Sequence, residues 1–194
     1  RSRILQEIVD VLVRLVDRRD PYAANHSKRV AVIAREIALE LDLAEGIVET
    51  TETAGRLMNL GKAMVPEALL TKTGRLTDEE HAQVRDALRQ GIDMLSGIDF
   101  GGPVVDTLRQ AQERWDGTGP GKLAGEAILM PARIIAVANA FVAITSPRAH
   151  RPRAPIDEAM DQVQAGTGKS FDRRVAAALV NLIENRGGRI RFAA

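Results

Sequence analysis

Glu113-Arg114-Trp115-Asp116-Gly117-Thr118-Gly119-Pro120, followed by Gly121 and Lys122, interrupts an otherwise helical pattern of residues. It carries the chain's only tryptophan. Glycines at 117, 119 and 121, with Pro120 between the last two, end a helix and force a tight backbone excursion. Glycine reaches conformations closed to other residues, and proline lacks the amide that would continue a helix. Alone, such a turn serves as a plain helix-to-helix connection as readily as a ligand loop, so its neighbours decide.

Outward from this loop the pattern is helical in both directions. Downstream, Pro131 opens the most apolar segment, about Ala132 to Thr145. Pro147, Pro152 and Pro155 interrupt the chain beyond it, and two helices near 156–165 and 172–186 close the domain. Upstream, Gly101-Gly102-Pro103 starts a helix leading into Glu113. Thr77-Asp78-Glu79-Glu80 has the spacing of a capping box, which predicts a helix to about Leu95. Asp20-Pro21 predicts a helix start running to about Leu41, with Val30, Ile33, Ile37 and Leu41 as its buried stripe. Asp42 to Gly46 breaks it, the next helix carries Ile47, Val48 and Leu57, and Pro66 marks a further stop. No sustained period-two alternation occurs; Arg189-Ile190-Arg191-Phe192 alternates but is short. The expected fold is all-α, one bundle of about seven to eight helices with negligible sheet.

The first 19 residues form a separate helix ahead of a domain spanning 20–194. Leu5, Ile8, Leu12 and Leu15 fall at a and d spacing over two heptads. Two readings stay open: an amphipathic helix packed on its own domain, or a signalling helix that continues upstream and pairs with a second protomer. The chain begins with Arg1 rather than Met, which predicts a fragment of a longer protein with a partner domain on the N-terminal side.

Composition sets outer limits. A chain of 194 residues can bury about 70% of its unfolded surface as one domain. With 27 basic and 26 acidic residues the formal net charge is +1, so no global field favours nucleic acid or an anionic membrane, and any anion site must be local. The absence of cysteine excludes disulfides and thiolate chemistry and fits a reducing, cytoplasmic setting. No apolar run is long enough to span a membrane.

Glu113 to Gly119, then Pro131-Ala132-Arg133-Ile134-Ile135-Ala136-Val137-Ala138, then Thr145-Ser146 and Arg148, occur in an order that resembles an HD-GYP domain. Asp20-Pro21-Tyr22 with Asn25-His26-Ser27-Lys28-Arg29-Val30 is similar to that family's first motif, and Leu57-Met58-Asn59-Leu60-Gly61-Lys62 stands where it has Leu-His-Asp-Ile-Gly-Lys. The resemblance covers nearly the whole chain. It implies a bacterial, all-helical relative of phosphodiesterases that hydrolyse cyclic di-GMP at two or three iron- or manganese-type ions held by His, Asp and sometimes Glu.

Set on this sequence, the resemblance retains only His26 as a ligand type. Met58 and Asn59 replace the His-Asp pair, Ala87 stands for a histidine, Ala111-Gln112 for two histidines, and Asn139 for an aspartate. A bridged metal site needs about six protein ligands; Met, Ala and amides are poor donors to hard divalent ions. The expectation is therefore a domain with no metal cofactor and no catalytic residue, His26 a hydrogen-bonded relic, and Asn139 satisfied by Asn59.

The basic side of the family site is retained: Lys62 matches a lysine that the family places near the substrate phosphate, and Arg148 and Arg151 match basic residues just after its Thr-Ser turn; the three are candidate phosphate-binding residues, or else plain surface cations. The tyrosine of Gly-Tyr-Pro is missing, leaving Gly119-Pro120, and six aromatic residues offer little for base stacking. The primary expectation is a pseudoenzyme output domain acting through a protein partner, a signalling domain such as a diguanylate cyclase or a second copy in a homodimer. Its contact loop would be Trp115, Asp116, Gly117, Thr118, Gly119 and Pro120, continuing to Lys122. Two alternatives stay open: a non-hydrolysing cyclic di-GMP sensor, and a residual phosphodiesterase with a metal site rebuilt from His26, Asp20 and Glu113.

Overall fold

The computed structural model describes residues 3–20, 25–147 and 152–193. The chain is helical, with eight helices of seven residues or more and no strand among the described residues. Helix α1 is Arg3–Asp17, α2 His26–Glu40 and α3 Glu45–Leu57. A 3-10 turn, Leu60–Met64, leads to the short α4, Glu67–Leu70, and then to α5, Asp78–Asp93. After α6, Val104–Gln110, and the glycine loop come α7, Met130–Thr145, α8, Ile156–Ala165, α9, Arg173–Asn185, and the short α10, Gly188–Arg191. The alternating Arg189 to Phe192 segment thus closes as a helical turn.

Helix α7 is the hub. It is apolar nearly all round, with Ile134, Ile135, Val137, Ala138, Phe141 and Val142 shut from solvent, as expected for a helix covered on all sides. Helices α2, α3, α8 and α9 pack around it. The α2 stripe is as expected, Val30, Ile33 and Ile37 being buried and Leu41 packing at its edge. Gly55 of α3 lies so close to the Ala31 backbone that a Cβ there would clash, which brings α2 and α3 together.

The helix starting signals differ in outcome. Thr77 Oγ1 accepts from the Glu80 amide at 3.1 Å and Glu80 Oε1 from the Thr77 amide at 3.0 Å, a complete capping box. The Asp20-Pro21 start is corrected, because Asn25 sits at φ 66 in the left-handed region and α2 begins only at His26. Pro21 to Ala24 lie outside the described residues.

Helix α1 packs on the domain along one face and leaves apolar residues exposed on another. Val9 and Val16 are buried and Leu5 and Val13 pack on the core. Ile4, Ile8, Val11 and Leu15 are 67, 49, 47 and 57% exposed. The expected a and d set is corrected to this second stripe: Ile8 and Leu15 belong to it, while Leu5 packs against the domain and Leu12 is half-buried.

Candidate functional site

The first turn of α2, the end of α3 and the middle of α7 meet at one point. His26 and Ser27 are buried there. His26 Nε2 lies 2.8 Å from Asn139 Oδ1, and Asn59 Nδ2 donates to Ser27 Oγ at 3.0 Å. The expected direct Asn59 to Asn139 pairing is corrected: the two amides take consecutive residues of α2 as partners. The physical requirement, that polar groups shut from water be hydrogen-bonded, is met by a different pairing.

The remaining positions line adjoining elements. Met58 is half-buried at the α3 terminus. Ala87 is buried on α5, one turn before Gly91, and a Cβ on Gly91 would strike the Gly61 backbone, so α5 and the 3-10 turn touch main chain to main chain. Ala111 packs on the core and Gln112 is exposed just after α6.

Lys62 sits on the 3-10 turn, with Nζ 3.8 Å from Asp20 Oδ2. Arg19 clamps this turn by donating to the carbonyls of Lys62, Ala63 and Val65. Beside them, burial raises the Asp17 carboxyl above its usual range; Lys62 opposes the shift and Asp20 adds to it. Arg148 and Arg151 lie outside the described residues.

The glycine loop is organised by Glu113. Its buried carboxylate accepts from the Gly121 amide at 2.6 Å and from the Leu123 amide at 3.3 Å. A Cβ on Gly119 or Gly121 would run into that carboxylate, which explains both glycines. Gly117 takes φ 80, the left-handed conformation that glycine accepts without strain. Asp116 Oδ1 accepts from the Thr118 amide and hydroxyl, which holds its carboxyl below the usual range.

Trp115 faces inward more than its place in a loop suggests. The Arg133 guanidinium lies over its ring, 5.7 Å from the centroid, and also bonds Asp172 Oδ2 at 2.9 Å. Asp172 caps α9 through the Arg174 amide. Trp115 and Asp116 donate to the carbonyls of Ser170 and Lys169, tying the loop to the segment between α8 and α9. Sequence reasoning missed Arg133 and Asp172, whose signal was a single charge in each of two otherwise apolar or capping contexts.

No group of three or more His, Cys, Asp or Glu side chains suited to a metal ion occurs among the described residues. At the positions that the resemblance assigns to metal ligands, the polar side chains are one imidazole, already bonded to an amide, and three amides, Asn59, Gln112 and Asn139. That set does not fit a pair of hard divalent ions. Glu113, a buried acid, has both oxygens bonded to backbone amides.

The HD domain family profile matches residues 10–175, and the chain belongs to that family. Its relatives specify the HD-GYP branch. It is 35% identical over 181 residues to the "Cyclic di-GMP phosphodiesterase response regulator RpfG" of Xanthomonas campestris, covering 90% of this chain and 47% of that one. It is 32% identical over 179 residues to "3'3'-cGAMP-specific phosphodiesterase 3" of Vibrio cholerae, covering 90% and 38%. The crystal structure of a cyclic GMP-AMP specific phosphodiesterase of V. cholerae superposes with a TM-score of 0.68 at 20% identity, over 95% of this chain and 49% of that one, and so shares the fold. The chain spans about half the length of the curated relatives it matches or less. Among the described residues no helix is long and apolar enough to cross a membrane.

Proposed function

We propose that this chain is a cyclic-dinucleotide signalling domain of the HD-GYP type that binds its ligand without hydrolysing it. The observation that carries this reading is the 2.8 Å contact between His26 and Asn139. The one retained imidazole is bonded to a neutral amide where the family implies an aspartate, and Asn59, the other replaced acid, bonds the Ser27 hydroxyl. These two contacts, His26 to Asn139 and Asn59 to Ser27, lie at positions that the resemblance assigns to metal ligands. Lys62, with Arg148 and Arg151, supplies the phosphate-facing charge: Lys as a point charge, Arg as a planar fork.

Hydrolysis is the second reading, and the relatives favour it, since the proteins at 35 and 32% identity are named phosphodiesterases of cyclic dinucleotides. It requires a metal site in which His26 is joined by Asp20, Glu113 or other acids in place of the remaining family ligands. One titration separates the two. Calorimetry of the chain with cyclic di-GMP, with and without manganese, followed by assay of the cell contents, should give binding heat and no linear product. Manganese-dependent product would establish the phosphodiesterase and overturn the binding-only reading.

The protein-contact role of the glycine loop is carried by its exposed edge, Asp116, Thr118 and Pro120, while Trp115 serves as scaffold under Arg133. Helix α1, Arg3–Asp17, is the signalling helix that precedes the ligand-binding domain.

A further inference from the structure

Helix α1 bears an apolar stripe that the domain does not cover. Ile4, Ile8, Val11 and Leu15 are spaced four, three and four residues apart, and at about 100° per residue they fall within about 60° of arc. Each is 47% exposed or more. The core-facing residues Leu5, Val9, Val13 and Val16 lie on a different arc of the same helix. Such a seam is of the kind that pairs helices, since period 3.5 keeps one stripe facing a partner.

The charges beside the seam select the partner and its direction. Glu7 and Arg14 flank it on one side, and Leu5 and Leu12 on the other, where α1 meets its own domain. In a parallel two-fold pair, the Glu7 and Arg14 flank of one helix would face the Leu5 and Leu12 flank of the other, and the charges would find no partner. In an antiparallel pair, like flanks face each other. Ile4 then meets Leu15 of the second copy and Ile8 meets Val11. Glu7 comes opposite Arg14 at both ends of the seam. Glu7 also holds Arg3 through Oε1 at 2.9 Å within its own helix, an exposed pair.

We infer that the exposed stripe of α1 is a homodimer interface in which two copies of this chain pair their first helices antiparallel. The occupant is a second copy because the stripe is complementary to itself in both apolar register and charge. The inference is independent of whether the domain hydrolyses, binds or ignores a nucleotide.

The test uses the 194-residue chain, which has no cysteine, so introduced thiols are unique. Sedimentation of the wild type over a range of concentrations should show a reversible dimer, and Ile8→Glu should shift it to monomer with an unchanged helical circular dichroism spectrum. Glu7→Arg should weaken the dimer at least threefold, and Glu7→Arg with Arg14→Glu should restore it. For direction, Ile4→Cys mixed with Leu15→Cys should give a mixed disulfide in excess of either self-linked dimer. A wild type that stays monomeric at every concentration overturns the inference and leaves the stripe to another segment of a longer chain or to a different protein. Preferential self-linking of Ile4→Cys overturns the antiparallel arrangement, and a dimer indifferent to Ile8→Glu places the interface elsewhere.

Discussion

His26 Nε2 lies 2.8 Å from Asn139 Oδ1, joining the first residue of α2 to the middle of α7. An amide oxygen only accepts, so the imidazole donates through Nε2. His26 is buried, and removing its acceptor leaves an unpaired donor at a cost of about 1–3 kcal/mol. Asn139→Leu should lower the urea unfolding free energy by that amount. Asn139→Asp keeps an acceptor in the same place and should lose less. Equal losses in both variants would show that the contact contributes little.

The neighbouring amide makes a second expectation. Asn59 donates to Ser27 Oγ, and a carboxylate of the same shape can instead accept from that hydroxyl. Met58→His, Asn59→Asp and Asn139→Asp together therefore return three donors beside His26 without a change of fold. The wild-type chain should purify without stoichiometric manganese or iron, and the triple variant should bind manganese measurably in equilibrium dialysis. Stoichiometric metal in the wild type would mean that other residues hold it.

Glu113 anchors the glycine loop from within. With glutamine, one of its two backbone partners would face an amide nitrogen that cannot accept, so either the Gly121 or the Leu123 amide loses its bond. Glu113→Gln should destabilise the domain by about 1–3 kcal/mol. Trp115, the only tryptophan, reports the loop directly. Its emission should move to the red as the ring leaves Arg133, and an unchanged spectrum would show the loop holding without the carboxylate.

Much of this architecture is legible in the sequence because its signals are local. The Thr77 to Glu80 spacing, the proline at the head of α7 and the stripe of α2 each act over one or two helical turns. The helix from Gly101-Gly102-Pro103 is legible in its start but ends at Gln110, short of Glu113, because the Glu113 cradle begins there. Partner choice is not legible. Asn139 is expected against Asn59, but which buried amide meets which donor depends on how α2 crosses α3 and α7. The seam on α1 likewise lies one face away from its heptad reading, because Leu5 and Leu12 obey heptad spacing as well as Ile4 and Val11 do, and only the packed domain shows which arc remains open. Arg133 lies within a stretch of apolar character, and its contacts with Trp115 and Asp172 span loops with no fixed spacing.

Two acids should act on stability with opposite signs at low pH. Glu80 is held down to about 2 from 4.5, first by Lys72 and then by the Thr77 amide. A depressed carboxylate contributes stability that is present above its unfolded value and lost as pH falls from about 4.5 towards 2. Asp17 is raised, first by burial, so its folded form favours the proton. Its effect is the reverse: the fold is favoured below the unfolded value of 3.8, and that advantage is lost as pH rises through the folded pKa. Urea midpoints measured across acid pH should therefore fall less steeply for Glu80→Gln than for the wild type. Asp17→Asn should raise the midpoint at neutral pH and leave it unchanged where Asp17 is already protonated. A variant Asp17→Asn that is less stable at neutral pH would show that the Lys62 attraction outweighs the cost of burying the charge.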